Sequence, residues 1–407
     1  MTTRIFIRIC VMLAAASAFA QDQIPERLLI STGQYIGPGA RPLGMAGTYT
    51  GIADDFSSVW YNPAGISQVK RIEMQASLSR SGYTNETSYF GNPWDGSTSN
   101  IRLNNLGFVF PIPVYQGAFS FAFGYNQLVS FDRRTRVEAP TSGTFDWQDF
   151  DELENGRLGV WNLTSAVDVS PNLALGLGLN YYTGADEYTL TGSYIDNGQT
   201  NYTETELSTD LSGWMANVGA LLRIGRFARV GAMFQPEMSM LLQEDWVIDN
   251  NTGFYDYRMT YPAVLRAGAS FAPGRWLLGA DIEYRDWESM EFRTSTPYQD
   301  VSRAEANQQI KNAYNSVTRV SIGGEYLFPV YGLRARAGYS FEPSPYDDNG
   351  AGDDNHGAFA LGVGVLVDRS VMLDLGFRRS SYRENVTDGL TEDIRTSTAL
   401  FTLSYRM

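Results

Sequence analysis

The side chains that most often carry out catalysis or bind metals are scarce in this chain. Its 407 residues include one histidine, His356, and one cysteine, Cys10. A Ser-His-Asp or Cys-His arrangement, a thiolate metal site and a histidine-rich metal site all need more of these residues. The sequence therefore predicts a protein that is not an enzyme and has neither a metal ion nor a cofactor.

Acidic stretches are the remaining candidates for cation binding. Asp347, Asp348, Asp353 and Asp354 lie close together, but their spacing does not fit an EF-hand loop. We interpret this stretch as a solvated acidic loop, with weak calcium binding as the alternative.

Arginines on the polar face of alternating segments are the strongest candidates for contact with a ligand: Arg266, Arg319, Arg334 and Arg336. A guanidinium group can bind a carboxylate through two parallel hydrogen bonds. In the alternative interpretation these arginines form salt bridges with acidic side chains of the same face. The sequence leaves both roles open.

An aromatic group within an acidic stretch is a second candidate ligand site. Phe145, Trp147 and Phe150 lie among the acidic residues of the segment 131–155. Exposed apolar clusters usually bind something. We expect these three residues to form a landing site for hydrophobic molecules.

The elements that must position these side chains are strands, because apolar and polar residues alternate along most of the chain. In the segment 174–182, for example, leucines alternate with glycine and asparagine. Fourteen such segments are separated by turns that are alternately short and long: 71–83, 101–110, 116–130, 156–169, 172–190, 202–224, 226–245, 254–272, 275–292, 315–327, 331–342, 356–367, 370–383 and 394–406. This pattern predicts an all-β fold, a 14-stranded antiparallel transmembrane β-barrel. A soluble β-sandwich also alternates, but its strands are shorter.

The composition agrees with a barrel in a membrane. Aromatic residues make up 13% of the chain and there are 40 glycines, while no apolar run is long enough for a membrane helix. The formal charge of −14 argues against binding to nucleic acid, which needs a basic surface.

The first twenty residues have the features of a signal peptide. Arg4 and Arg8 precede a short apolar stretch, and Ala18 and Ala20 form a small-residue cleavage site before Gln21. We expect three parts: a cleaved signal peptide (1–20), an N-terminal hatch (21–70) and the barrel (71–407). Because Cys10 lies within the signal peptide, the mature chain is expected to lack cysteine.

The hatch is predicted from a compact stretch that precedes the first strand. Residues 40–65 are rich in glycine and alanine, do not alternate, and end in a turn that contains Asn62, Pro63 and Ala64. We expect this stretch to plug the barrel, with that turn beside the third strand. Asp54 and Asp55 are expected to pair with arginines of the lumen, because an unpaired carboxylate there is costly.

Three pieces of this stretch, 41–47, 52–55 and 61–65, together with the hairpin that begins at 261–268, resemble the FadL/TodX family of outer-membrane channels for hydrophobic compounds. The resemblance implies a hatch inside the lumen, a third strand that kinks beside it, and lateral release of a fatty acid or another hydrophobic molecule. Gly117 and Gly124 are the candidate kink positions, although glycine there could also relieve crowding in the lumen.

The same resemblance implies a location and partners. It places the chain in the outer membrane of a Gram-negative bacterium as a monomer, in contact with lipid and lipopolysaccharide and assembled by the barrel assembly machinery. The alternative is a PorV-like outer-membrane component of a protein-secretion system, whose N-terminus looks similar.

Overall fold

One antiparallel sheet that closes on itself makes up most of the structure. The computed structural model describes residues 35–89, 91–138, 147–196, 199–249, 251–297, 301–329, 332–346, 355–387 and 390–407. The first strand, β1 (Glu73–Tyr89), pairs with β2 (Asn92–Ile112) on one side and with the last strand, β17 (Leu390–Arg406), on the other. The sheet therefore has no free edge at its ends. The predicted signal peptide, 1–20, lies outside the described residues.

Seventeen strands form this sheet, and three barrel strands are each divided in two by a short break. The divided strands are β3 with β4, β8 with β9, and β10 with β11. Counted in this way, the barrel has fourteen antiparallel strands, which confirms the predicted all-β barrel. The strands between β2 and β17 are β3 (Phe119–Ser130), β4 (Arg133–Glu138), β5 (Trp147–Asp168), β6 (Leu173–Asp196), β7 (Gln199–Ile224), β8 (Ala228–Gln235), β9 (Met238–Ile248), β10 (Asn251–Tyr261), β11 (Val264–Phe271), β12 (Trp276–Asp286), β13 (Ser316–Leu327), β14 (Arg334–Glu342), β15 (His356–Leu366) and β16 (Val371–Thr387).

Several strands are longer than the alternation predicts. The polar segments 84–100 and 191–201, expected to be long loops, are instead continuations of β1, β2, β6 and β7. These segments are rich in threonine, serine and tyrosine, which suit strands. Alternation stops where both faces of a strand are polar, but the strand itself continues.

The long segment 293–313 contains the helix α3 (Arg303–Ala313) rather than a loop. Ser302 caps this helix because its side chain accepts a hydrogen bond from Glu305 N. Ala306 and Ile310 bury one side of the helix against the apolar interior of the barrel. No helix among the described residues is long and apolar enough to cross a membrane.

The two faces of the barrel wall differ in polarity. Outward side chains are apolar and exposed, such as Leu177 (56%) and Leu361 (54%). Inward side chains are polar and buried, such as Asn180 (0%) and Asp374 (5%). This arrangement follows from the period of two along each strand.

Residues 35–69, which we call the N-terminal segment, form no barrel strand. They contain two short helices, α1 (Ala40–Leu43) and α2 (Ser58–Tyr61), and a 3₁₀ helix (Pro63–Gln68). Nearly all of these residues are buried.

A belt of glycines brings the N-terminal segment close to the inner face of the barrel. A side chain at any of them would collide with or press on the segment; a Cβ at Gly323, for example, would lie 2.6 Å from Met45 O. The belt comprises Gly107, Gly124, Gly176, Gly219, Gly231, Gly268, Gly279, Gly323, Gly338, Gly362 and Gly376. The segment therefore contacts strands around most of the circumference.

Candidate functional site

A chain of ion pairs joins the N-terminal segment to one side of the barrel. Arg41 of α1 contacts Asp54 and donates from Nε to Glu325 Oε2 at 3.0 Å. Arg336, whose side chain is fully buried, bridges Glu325 at 2.7 Å and Asp374 at 2.6 Å. Removing one member of such a buried chain leaves an uncompensated charge.

The adjacent carboxyl groups Asp54 and Asp55 have different partners. Burial favours a higher pKa for Asp54, but the guanidinium groups of Arg41, Arg229 and Arg406 together outweigh it and lower the pKa of Asp54 below its usual value. Asp55 accepts hydrogen bonds from Tyr49 Oη at 2.7 Å and Ser57 N at 2.9 Å, and burial raises its pKa.

We expected both carboxylates to pair with arginines of the lumen. Asp54 pairs first with an arginine of its own segment, Arg41, and lies 3.8 Å from Arg229 of β8. The described structure shows hydroxyl and backbone donors, and no ion pair, at Asp55. A short segment can satisfy its own carboxylates once it folds back on itself, which spacing alone does not reveal.

A second arginine group lies against Trp60. Arg266 donates from Nη1 to Trp60 O at 3.0 Å, its guanidinium lies 4.9 Å from the Trp60 ring, and its Nε contacts Glu283 at 2.5 Å. Glu283 also binds Arg285, at 2.9 Å. These contacts fix the end of α2 against β11 and β12.

The four candidate ligand-binding arginines have different surroundings. Arg266, Arg319 and Arg336 all lie inside the barrel; Arg319 donates to Ala46 O at 3.2 Å. Arg334 is half-buried at the start of β14. Arg266 and Arg336 already bind carboxylates of the protein. Contact between these arginines and a ligand carboxylate stays a prediction.

The turn that contains Asn62, Pro63 and Ala64 packs against β6, β7 and β8. Asn62 Nδ2 donates to Thr50 O at 3.0 Å and to Ala220 O at 2.9 Å, while its Oδ1 accepts from Ala64 N at 3.2 Å. We expected this turn beside the third barrel strand, but Phe56, rather than the turn, packs against Gly124 of that strand. A turn signal fixes the bend of the chain and not the direction in which the bend faces.

The third barrel strand separates from β2 beyond Asn126, which both candidate glycines precede in the chain. Gly117, with φ +75°, belongs to the turn before β3, and Gly124 makes room for Phe56. The β2–β3 ladder runs from Asn105 and Asn126 toward the β2–β3 turn, and the β3–β5 ladder has an irregularity between Gln127 and Val129. We call this separation the β2–β3 break.

The start of the N-terminal segment fills the β2–β3 break. Ile36 N donates to Leu128 O at 2.8 Å, and Tyr35 forms an isolated antiparallel bridge with Val129. On the other side, Asn104 Nδ2 donates to Gly37 O at 3.1 Å. A few residues of the segment therefore occupy the position that a neighbouring strand would take.

An apolar cluster of buried side chains joins the N-terminal segment to the inner face of the barrel, and we call it the methionine–aromatic cluster. Tyr182 packs on Trp60 with ring centroids 6.4 Å apart. The cluster also contains the buried methionines Met215, Met238, Met240, Met259 and Met290. Methionine side chains adapt to irregular shapes. Sequence reasoning missed this site; methionines at alternate inward positions such as 238 and 240 were the available signal.

Binding at the predicted aromatic landing site stays a prediction, but Phe150 is buried rather than exposed. Phe150 is only 4% exposed and lines a cavity of about 890 Å³ with Asp149 and Asp151. It packs inward because strand β5 continues through this segment. Trp147 begins β5, and Phe145 lies outside the described residues.

Within the described ranges no group of acidic, histidine or cysteine side chains is arranged to hold a metal ion. The acidic residues Asp347, Asp348, Asp353 and Asp354 lie outside those ranges.

Comparisons with known proteins identify relatives over nearly the whole chain. The family model described as outer membrane protein transport protein (OMPP1/FadL/TodX) matches residues 38–406. A Pseudomonas aeruginosa FadL homologue has a similar fold, with a TM-score of 0.67, 12% identity, and coverage of 92% of this chain and 100% of that chain. The P. putida toluene transporter TodX aligns with a TM-score of 0.63 and 16% identity over 91% of this chain and 99% of the other. No curated protein matches.

A third solved structure agrees with these two. The Ralstonia pickettii toluene transporter TbuX aligns with a TM-score of 0.62 and 14% identity, covering 91% of this chain and 98% of the other. At such identities the solved structures establish the fold, whereas the family rests on the match to the family model.

Proposed function

Because this chain belongs to the outer membrane protein transport protein (OMPP1/FadL/TodX) family, we propose that it takes up hydrophobic molecules and releases them sideways through the barrel wall. Members of this family are outer-membrane transport channels and not enzymes. The observation that carries the proposal for lateral release is the β2–β3 break, which is filled by residues of the N-terminal segment rather than by a strand.

In this proposal the N-terminal segment is the hatch, and it closes the lumen to water and ions. Its support is burial together with contact around most of the circumference, made possible by the glycine belt. The exposed apolar face of the wall would lie in lipid, since apolar outward and polar inward residues are typical of outer-membrane barrels.

The methionine–aromatic cluster supplies the apolar part of the proposed route. Trp60 belongs both to this cluster and to the N-terminal segment. A hydrophobic molecule in the cluster would therefore be close to the hatch. Leaving through the wall avoids passage through a water-filled pore, where exposing apolar surface is unfavourable.

The remaining parts of the assignment follow from the same proposal. We propose that residues 1–20 direct export and are removed, that assembly machinery inserts the barrel, and that a monomer contacts lipid and lipopolysaccharide. Arginines such as Arg319 stay candidates for contact with a polar end of the cargo.

A reversible crosslink across the β2–β3 break tests lateral release. Tyr35 and Val129 are antiparallel bridge partners, and such pairs have Cα atoms about 4.5–5.5 Å apart, which suits a disulfide. The variant Tyr35→Cys/Val129→Cys should take up a hydrophobic tracer when reduced and lose uptake when oxidised. Tyr35→Cys alone is the control, and oxidation should not change its uptake.

Two outcomes would contradict the proposal. Unchanged uptake in the oxidised double variant would mean that cargo leaves elsewhere. A wild-type chain that takes up no hydrophobic tracer, but copurifies with secreted proteins, would favour the PorV-like role.

A further inference from the structure

Side-chain amides form a belt across the inner face of six neighbouring barrel strands. The belt consists of Asn105 on β2, Asn126 on β3, Asn162 on β5, Asn180 on β6, Asn217 on β7 and Gln235 on β8. Each of these side chains is at most 1% exposed. Because the strands are far apart in sequence, only their register brings the amides together.

The middle of the amide belt is a continuous chain of hydrogen bonds. Asn126 Nδ2 donates to Asn162 Oδ1 at 2.6 Å, and Asn162 Nδ2 donates to Asn180 Oδ1 at 2.6 Å. Asn180 Nδ2 then donates to Asn217 Oδ1 at 3.1 Å. Each amide in this chain polarises the next, which strengthens the terminal donor and the terminal acceptor.

The belt is interrupted at both ends of this chain. Asn105 and Asn126 are register partners, yet Asn105 Nδ2 and Asn126 Oδ1 have no hydrogen-bond partner among the described residues. Val218 pairs with Phe234, so Asn217 and Gln235 face each other on the next rung. Asn217 Nδ2 and both polar atoms of Gln235 are also unpaired in this part of the chain.

One interruption lies near the methionine–aromatic cluster, and the other lies beside the β2–β3 break. Asn217 lies two residues from Gly219, which contacts the hatch residue Asn62, and two residues from Met215 of the methionine–aromatic cluster. Asn105 and Asn126 form the last rung of the β2–β3 ladder before the break.

Each interruption offers at least one amide N–H donor and one amide oxygen. A hydroxyl group matches this pair, because it accepts one hydrogen bond and donates another. A carboxylate has no proton to donate to the amide oxygen, and Arg266 and Arg336 already bind protein carboxylates. A pure hydrocarbon would leave the buried amide atoms unpaired, which is costly.

We propose that the interruptions of the amide belt bind the hydroxyl group of a neutral, hydroxylated hydrocarbon, such as a phenol or a fatty alcohol. The cluster receives the apolar part of the molecule beside Asn217 and Gln235, and the interruption at Asn105 and Asn126 holds the hydroxyl group beside the β2–β3 break. This inference names the substrate class of the proposed channel and rests on that function.

Matched ring compounds test the proposal in equilibrium binding to the full chain in detergent. We compare 1-naphthol with naphthalene, which lacks the hydroxyl group, and with 1-naphthoate, which carries a carboxylate. The wild-type chain should bind 1-naphthol about 10- to 100-fold more tightly than naphthalene, as expected for two hydrogen bonds to buried groups.

Gln235→Leu should reduce that preference by about tenfold while affinity for naphthalene stays unchanged, which also shows that the variant folds. Gln243→Leu is the matched control, because Gln243 is an exposed residue of β9, and it should keep the full preference.

Two results with the wild-type chain would overturn the inference alone: equal affinity for 1-naphthol and naphthalene, or tighter binding of 1-naphthoate than of 1-naphthol. An unchanged preference in Gln235→Leu would also overturn it, because the amides would then bind only ordered water. Failure of all three compounds to bind would overturn both this inference and the proposed function.

Discussion

Opposite sides of the barrel contact the N-terminal segment in different ways. On one side, β11 to β16 meet it with arginines and carboxylates, as in the ion pair of Arg41 with Glu325, which Arg336 links to Asp374. On the other side, β2 to β7 present mainly neutral amides and the β2–β3 break, although Arg223 Nη2 also donates to Ser67 Oγ at 3.0 Å and Arg102 pairs with Asp132. We call these the charged side and the amide side.

The contacts on the charged side are suited to holding the N-terminal segment in place, and those on the amide side are suited to releasing it. A buried ion pair is expensive to break, because each separated charge loses its partner in a poorly solvated site. Neutral hydrogen bonds such as Ile36 N to Leu128 O contribute only about 0.5–1.5 kcal/mol each. In the proposed function, the segment stays attached on the charged side, where Arg378 Nη1 also donates to Tyr35 O, while Ile36 leaves the break on the amide side.

Breaking the ion-pair chain should have the largest effect on stability. Arg336→Met leaves Glu325 and Asp374 without their shared partner and should lower the free energy of unfolding by about 3–5 kcal/mol. Urea titration in lipid vesicles measures this loss. Arg334→Met is the control and should change stability little, since Arg334 is only half-buried. Equal losses in both variants would mean that the charged side does not fix the segment.

The two sides should be alike on their outer faces. Leu177 on the amide side and Leu361 on the charged side are both exposed apolar residues. Replacing either with arginine should cost about 2–4 kcal/mol if it lies near the bilayer midplane. Leu→Met at the same positions is the control. A large loss of stability on one side only would show that the charged side and the amide side also differ on their outer surfaces.

A smaller effect is expected at Asn62, where the segment meets β7. Asn62→Ala removes the donors to Thr50 O and Ala220 O and the acceptor for Ala64 N. We expect a loss of about 1–2 kcal/mol and impaired tracer uptake, with ion conductance still near zero. Measurable ion conductance in planar bilayers would show that this turn, and not the charged side, keeps the lumen closed.

The sequence was sufficient to predict the barrel and its strand number, because alternation repeats along the chain and each turn interrupts it. It also located the compact stretch around Asn62, whose glycine, proline and lack of alternation distinguish it from a strand.

The amide belt and the methionine–aromatic cluster could not be predicted in this way. In the sequence, Asn126 and Asn217 look like other inward polar residues. Only the register of the strands aligns their amides across the barrel wall. Likewise, nothing in the polar stretch near Phe150 indicates that β5 continues and turns this side chain inward.

The most direct test of the account is the ion conductance of a chain that lacks residues 35–65. The account predicts that this chain still forms a heat-modifiable barrel but conducts ions in planar bilayers, whereas the complete chain does not. The ion pairs of Arg41 and the contacts to the glycine belt would then be what closes the lumen. Conductance near zero in the shortened barrel would contradict this, because helix α3 and the outer ends of the strands would then close the lumen.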